Sequence, residues 1–596
     1  MHYYITDECV ACRRCAELCP VDAPAFNGDH FAIDPEKCVG CGTCAKNCPM
    51  NAIYPSDYAA PPAPEQVPGV REESCDVVVI GSGPAGLAAA GSLQEKGFSV
   101  TILEAAKLAG GAGVHATGYN VFDSKLELDA GGTRYMDDYV RAAMNSTKYQ
   151  LRYSFLRSAF EANTEFFDWF CTFGSPEELF RVVDSPKGKS VMMDFTKPAG
   201  RFMVEKLLAH AQEKGAILRT CTKAKKLLME NGKTVGVLAE DRQGDIAFRS
   251  RAVLVATGNM CQAPDLEDYL PEFAHAEIFR NAHRLPTATG DGVRMIRQAG
   301  IPVDMENVAS HYLGAMPAWF DGHVLKQGLR PEGLRVNNRG ERYVSEGADR
   351  FDAVDVLLKQ PGCVSFNIVD SNILNMDIQP TIKLPTGNVM MMEASLPLPG
   401  KPLQYVNFMG LPVQVDKDGN PMKSPMDGLE ENRGMGNYPP DSKPDPERLR
   451  EYARTLGGHV CAADTLEELA EQMGADPEAL KATVARYNEL CRKGRDEDFG
   501  KYTRYMIPIE QGPFYAFKCF LGTDGVFGGV FVDDGCRVVN GENAVPGLYA
   551  AGDLTSGNYI KENSHRTEAI NDFTWANASG FLAGKSMAAD MESGNL

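Results

Sequence analysis

The stretch CDVVVIGSGPAGLAAAGSLQEKGFSVTILEAA, residues 75–106, decides the fold. Val77 to Ile80 is a β-branched apolar run of the kind that forms a parallel strand buried on both faces. Gly81, Gly83 and Gly86 then spell G-x-G-x-x-G, a helical pattern follows through Leu93, and a second strand, Ser99 to Leu103, ends at Glu104. The glycines permit a tight turn and let backbone approach a pyrophosphate at a helix N-terminus, while the acid binds a ribose hydroxyl. The glycine motif alone is a weak signal, and a ligand-free helix-packing motif is the competing reading. A strand before it, a helix after it and an acid about twenty residues on make a dinucleotide site the stronger reading.

That fingerprint does not separate NAD from FAD, but later segments do. Gly110 and Gly111 follow the acid, where a second backbone contact would meet a cofactor. VLVATG, residues 253–258, reads as a return strand, and GLYAAGDLTSG, residues 547–557, as a strand ending in Gly552 and Asp553, where flavoproteins place an acid toward the flavin. The expected FAD contacts are Gly81, Gly83, Pro84, Ala85, Gly86, Glu104, Ala105, Gly110, Gly111, Thr257, Gly258, Asp291, Gly552, Asp553, Ala569 and Ile570.

Upstream, one pattern occurs twice: Cys9, Cys12, Cys15, Cys19, Pro20 and then Cys38, Cys41, Cys44, Cys48, Pro49. Each is C-x2-C-x2-C-x3-C-P, the bacterial ferredoxin run, in which the fourth cysteine ligates the other cluster. Cluster one is therefore expected on Cys9, Cys12, Cys15 and Cys48, and cluster two on Cys38, Cys41, Cys44 and Cys19, both 4Fe-4S. The fourth cysteine is expected to start a helix. A zinc site would use four thiolates and leave four over. Residues 57–74 hold four prolines and read as an extended spacer.

Of 17 cysteines, eight lie within residues 9–48, which fits metal ligation in a reducing compartment rather than a disulfide framework. Cys75, Cys171, Cys221, Cys261, Cys363, Cys461, Cys491, Cys519 and Cys536 show no ligand spacing. With 596 residues the chain needs several domains. A net charge of −20 argues against nucleic acid and an anionic membrane surface. The first residues have no basic and apolar leader pattern, and no run of about 18 apolar residues occurs, so a cytoplasmic protein is expected.

From about residue 75 to 596 the chain resembles the flavoprotein subunits of the fumarate reductase and succinate dehydrogenase superfamily. The resemblance rests on TGDGVRMIRQAGIPVDMENV (289–308), VNNRGERYVSE (336–346), TLEELAEQMGADPEALKATVARYNELCRKGRDEDFGK (465–501), EQGPFYAF (510–517) and GLYAAGD. It implies α/β and α+β domains: a ferredoxin-like domain at 1–56, the linker at 57–74, a discontinuous Rossmann-type FAD domain at 75–305 and 521–596, and an inserted capping domain at 306–520. The family's active site lies between the last two, where hydride passes between flavin and a carbon–carbon bond activated by a carbonyl or carboxylate. The FAD is expected to be non-covalent, because His115 does not match the linked histidine of some members.

The same resemblance implies catalytic residues. Arg350 matches the active-site acid, unusual for a group whose pKa exceeds about 12. Its bland reading is an ion pair with Glu346, four residues earlier. His311 matches a substrate-carboxylate ligand. Arg330 matches the arginine of a proton relay, with Glu346 completing the candidate set. The relay glutamate is replaced by Gln327, which cannot ionise, so Tyr343 or Glu332 is a candidate replacement. Fumarate reductases place a histidine before the Gly528-Gly529 pair, but residues 523–527 read TDGVF. Their second clamp arginine falls near Asn563, with His565 and Arg566 close by, and the helix near His565 is expected to point at the flavin. Two cationic grips suit a dicarboxylate, so a larger or mono-acidic unsaturated substrate is expected instead of fumarate.

The expected activity is reduction of an enoate- or enone-type C=C bond, with electrons from an external low-potential donor (a ferredoxin, flavodoxin or redox subunit) passing through both clusters to FAD. The alternatives are a dehydrogenase running in the oxidative direction and an electron-transfer subunit of a larger complex. A homo-oligomer is compatible with the sequence. Residues 371–445, rich in methionine and proline, read as a surface insertion.

Overall fold

A computed structural model of the chain describes every residue except 1, 7–8, 10–13, 18, 22, 28–29, 47, 49–51, 59–66, 108, 117, 147–148, 186–187, 195–198, 264, 271–277, 280–287, 318–329, 347–353, 355, 377–393, 396–403, 406–445, 456–457 and 559–570. The chain divides into two compact units. The first comprises residues 1–270, 280–311 and 524–596; the second comprises 271–279 and 312–523.

The first unit is built on a six-stranded sheet. Its elements are β1 (Val77–Ile80), α1 (Pro84–Glu95), β2 (Val100–Leu103), β3 (Ile217–Arg219), β4 (Ala252–Val255), β5 (Arg537–Asn540), β6 (Asn543–Ala550) and α2 (Asp572–Glu592). The strand order is β3-β2-β1-β4-β6-β5, parallel except for the β5–β6 pair. β1, β2 and β4 are buried at every position, as a parallel sheet covered on both faces requires. Pro84 opens α1, where its missing N–H costs nothing. A second, four-stranded sheet joins Lys223–Glu230, Lys233–Asp241, Gly244–Arg249 and Arg71–Ser74. The end of the expected linker is thus a strand: residues 71–74 alternate between half-buried and exposed, and Arg71 is fixed by Asp241.

The N-terminal module lies in the same unit. Tyr3–Ile5 pairs with Ile53–Pro55, and Pro24–Phe26 pairs with Phe31–Ile33, so the two cysteine runs are related as repeats. The short helices are Arg14–Glu17 and Thr43–Lys46. They carry the third cysteine of each run and end before the fourth, contrary to the expectation that the fourth starts a helix. The proline after Cys19 and after Cys48 explains why these helices stop short of the fourth cysteine, since a residue before proline is pushed out of helical conformation.

The second unit centres on Val364–Asp370, which pairs antiparallel with residues 514–520 on one side and with Leu334–Asn337 on the other. Val460–Ala463 pairs with Phe514–Phe517. Helices Leu466–Met473 and Pro477–Lys493, capped by Thr465 and Asp476, pack their apolar faces onto this sheet and bury Leu469, Leu480, Val484 and Tyr487. No helix among the described residues is long and apolar enough to cross a membrane.

Candidate active site and cofactor sites

In the first unit, the ends of β1, β2, β4 and β6 and the N-terminus of α2 surround one cavity of about 370 Å³, within the ~300–1,000 Å³ usual for cofactor pockets. Gly81, Gly83, Pro84, Ala85, Glu104, Ala105, Gly111, Thr257, Gly258, Asp291, Gly552 and Asp553 line it, so segments separated by hundreds of residues meet as the sequence implied. Gly86 and Gly110 stand behind the wall. A Cβ on Gly86 would fall 2.0 Å from the Gly81 carbonyl oxygen, so its absence lets α1 close on the turn. Gly81 has φ of +107°, and a Cβ there would lie 2.3 Å from the Ala256 carbonyl oxygen. Ala569, Ile570, Asn563, His565 and Arg566 lie outside the described residues.

The residues present fit a dinucleotide. Gly83 caps α1 with no side-chain hydrogen bond, and no acid occupies the first turn. A Cβ on Gly83 would meet nothing within 4 Å. The helix therefore offers open N–H groups and positive potential to a pyrophosphate. Glu104, 7% exposed, accepts hydrogen bonds from Ser82 N–H at 3.1 Å, Ser82 Oγ at 2.5 Å and Ala106 N–H at 2.8 Å. Burial pushes its carboxyl up, and these bonds pull it partly back. Asp553 is half-buried and lines the cavity. Burial, with nearby Asp572 adding repulsion, pushes its carboxyl well above the ordinary range, opposed by a 3.5 Å bond from Asn259. A carboxyl so weakly partnered suits a ligand hydroxyl or amide. Thr257 Oγ1, also on the wall, is buried and has no hydrogen-bond partner among the described residues. Asp291 differs: Arg294 at 2.6 Å and Thr289 at 3.0 Å already engage it.

Sequence reasoning missed part of the wall: Ala112, Gly113, Thr222–Ala224, Asn259 and the start of α2 at Asp572, Phe573 and Ala576. A helix on the cavity wall begins at Asp572, where extended Asn571 caps it by accepting from Thr574 N–H at 2.8 Å; the helix expected near His565 lies outside the described residues. An Asn-Asp pair before a long apolar-rich helix was the available signal.

Cys19 from the first run joins Cys38, Cys41 and Cys44 of the second around one small pocket. Burial pushes the Cys44 thiol up, and repulsion from Cys41, Cys19 and Cys38 adds to it, a mutual penalty that bound iron would relieve. Cys15 and Cys44 belong to the module's core with Phe31 and Ile53, and Cys9 and Cys48 pack against it. Cys12 lies outside the described residues.

In the second unit, Arg330 is 1% exposed, and its Nε donates to Glu332 Oε2 at 3.3 Å. Burial lowers the Arg330 pKa, and Glu332 opposes that. Glu346 is also buried. It accepts from Arg342 at 3.0 and 2.7 Å and from Arg335 N–H at 3.0 Å, and Lys501 Nζ lies 3.5 Å away. Burial would raise its pKa, but Lys501 and Arg342 more than offset that and hold it lowered. Its i,i+4 partner is thus Arg342, on the side away from Arg350. Lys501 also donates to Gly333 O at 2.6 Å and Tyr487 Oη at 2.7 Å. Tyr343 is 9% exposed, and burial raises its phenol. His311 lies on strand Val303–Pro317, but its side chain is outside the described residues, as are Arg350 and Gln327.

The family profile described as FAD binding domain matches residues 76–565, and the 4Fe-4S binding domain matches residues 2–25 and 31–54. A vinyl phenol reductase of Lactiplantibacillus plantarum is 25% identical over 515 residues, covering 82% of this chain and 91% of that protein. A fumarate reductase (cytochrome) of Shewanella frigidimarina is 25% identical, covering 81% of this chain and 72% of the relative. An NADH:acrylate oxidoreductase of Vibrio harveyi is 25% identical over 87% of this chain, which spans only 51% of that longer protein. The open conformation of a flavocytochrome c3 fumarate reductase shares the fold, with a TM-score of 0.60 at 22% identity over 87% of this chain and 78% of that one. A 3-ketosteroid Δ1-dehydrogenase from Sterolibacterium denitrificans does so with a TM-score of 0.57 at 16% identity, over 87% of this chain and all of the other. The chain belongs to the FAD-binding-domain family of flavoproteins and carries two 4Fe-4S binding segments at its N-terminus.

Proposed function

We propose that this protein reduces an activated C=C bond of an enoate or enone other than fumarate, using electrons that pass from a low-potential donor through both clusters to FAD. The observation that carries this reading is that one compact unit holds the crossed cysteine sets and the dinucleotide cavity together. Cysteine clusters beside a flavin site suit a one-electron donor such as a ferredoxin, a flavodoxin or a redox subunit. The named relatives act on C=C bonds, which supports an alkene as acceptor. The chain's organisation into a Rossmann-type FAD domain and a capping domain is part of the same reading.

When bound, FAD supplies hydride to the substrate β-carbon. The chain's residues do the rest. The α1 N-terminus and Glu104 hold the cofactor's pyrophosphate and ribose, and Asp553 and the start of α2 hold its other end. His311 grips the substrate's carbonyl or carboxylate, where negative charge develops. Arg350 delivers the proton to the α-carbon. Arg330 and Glu332 return that proton from solvent, because Glu332 is the carboxylate in contact with Arg330, whereas Gln327 cannot ionise. Glu346 keeps Arg342 and Lys501 in place.

The test is anoxic. The protein is reduced with a viologen dye and offered enoates, enones and fumarate one at a time. Reoxidation by an enoate or enone is expected. Reoxidation by a protein partner alone would leave an electron-transfer subunit, and oxidation of a saturated ketone by the oxidised enzyme would leave a dehydrogenase.

A further inference from the structure

The two cysteine sets are alike in sequence but not in placement. In each repeat the backbone N–H four residues after the fourth cysteine donates to its sulfur: Ala23 to Cys19 Sγ at 3.3 Å, and Ala52 to Cys48 Sγ at 3.3 Å. Both alanines are tied into the module, the Ala23 carbonyl accepting from Asp34 N–H and the Ala52 carbonyl from Thr6 N–H, each at 2.8 Å. Ala52 in addition packs at 0% exposure against Ala106, with Cys48 and Cys221 against the pair. Ala106 stands directly behind the cavity wall: its N–H donates to the lining residue Glu104, its carbonyl accepts from Cys221 N–H at 3.1 Å, and its neighbour Ala105 lines the cavity, as does Thr222 beside Cys221. Cys221 holds φ of +51°, a left-handed conformation that costs a non-glycine residue energy. At the other set, Cys41 is exposed and Val39 is 64% exposed.

Resting on the reading above, we propose that the two clusters act in a fixed order. The cluster on Cys19, Cys38, Cys41 and Cys44 receives electrons from outside. The cluster on Cys9, Cys12, Cys15 and Cys48 is the last carrier, and electrons leave it through the Ala52–Ala106 seam. Electron tunnelling falls steeply with distance and with gaps in packing, and this seam joins a cluster ligand to the cofactor wall by one hydrogen bond and one close alanine pair. Each passage moves one electron. Two passages, with protons taken from water, supply the pair FAD needs, and the external one-electron donor re-reduces the outer cluster. The hydrogen bond on the Cys48 sulfur is also one of the features that set a cluster's potential.

The experiment uses the full-length holoprotein and follows flavin bleaching by stopped flow after mixing with reduced viologen. Iron, sulfide and FAD contents and low-temperature EPR of both clusters are measured alongside. Ala106→Trp is expected to slow bleaching at least tenfold, with cluster reduction and all three contents unchanged. The smaller wedge Ala106→Leu should give an intermediate slowing and serves if the tryptophan variant does not retain FAD. Cys12→Ala should block bleaching while the remaining cluster still reduces. Unchanged bleaching in both Ala106 variants, or in Cys12→Ala, would overturn the proposed order while leaving cluster-to-flavin transfer standing. Wild-type bleaching no faster than in a variant lacking both clusters would remove the order and the underlying reading together.

Discussion

Ser82 and Glu104 lock the dinucleotide turn to the second strand: one carboxylate oxygen of Glu104 accepts from both the backbone N–H and the hydroxyl of Ser82. The other oxygen accepts from Ala106 N–H. The acid that would bind a ribose is therefore also the clip that fixes the phosphate turn. Glu104→Ala leaves buried donors unpaired, each costing about 1–3 kcal/mol. FAD affinity is expected to fall by about tenfold or more by fluorescence titration of the apoprotein, because about 1.4 kcal/mol is a factor of ten. Glu104→Gln, which keeps one acceptor, should lose less. Wild-type affinity in Glu104→Ala would show that the clip is not used.

Gly81→Ala tests the turn itself. The substitution must accommodate a positive φ and a Cβ 2.3 Å from the Ala256 carbonyl oxygen. A strained backbone of this kind costs about 1–3 kcal/mol. The melting temperature of the apoprotein should drop, and FAD should be lost on purification. A variant that melts like wild type with full flavin would contradict the geometry.

The buried network of the second unit gives a pH prediction. Burial alone would push the Asp496 carboxyl up, yet hydrogen bonds from Arg342 and from the Lys501 and Phe499 N–H groups hold it at about 2. A carboxylate whose folded pKa is lowered contributes stability above its unfolded pKa, and loses it as pH falls through the folded value. The contribution is about 2 kcal/mol at neutral pH, and it fades between about pH 4 and pH 2. Asp496→Asn should lower the denaturation midpoint at pH 7 and lessen its fall toward pH 2. An equally steep fall in that variant would place the acid sensitivity elsewhere.

What the sequence revealed divides along physical lines. Gly81, Gly83 and Glu104 were legible because strand, turn, helix and acid are local to one another, and their order is itself the binding mechanism. The gathering of Cys19 with Cys38, Cys41 and Cys44 was legible because thiolate ligation demands fixed spacing. Thr222–Ala224 on the cavity wall and the Ala52–Ala106 seam were not, because such residues carry no motif and are joined to the site only by tertiary packing. Lys501 and Asp496 reach Arg342 and Glu346 from more than 150 positions away. No periodicity announces a buried ion network, so the Arg342, Lys501 and Asp496 partners of this cluster went unread. The helix that begins at Asp572 on the cavity wall was missed because the Asn571 cap went unread.

Glu332 provides the sharpest test of the chemistry. Its Oε2 contacts Arg330 Nε, while its Oε1 is buried and has no hydrogen-bond partner among the described residues. A carboxylate with one oxygen on a buried guanidinium and the other uncommitted can take up and release a proton, which an amide of the same shape cannot. Glu332→Gln should therefore leave cluster content, FAD content and flavin bleaching by reduced viologen unchanged. Flavin reoxidation by the enoate or enone found in the substrate panel should slow by about 100-fold, within the ~10²–10⁴-fold range of positioned proton transfer. The solvent deuterium isotope effect on that step should rise as proton return becomes limiting. Glu332→Ala would also open a cavity, so a loss seen only in Glu332→Ala, with Glu332→Gln at the wild-type rate, would make the residue a packing partner of Arg330 and send the proton by another route.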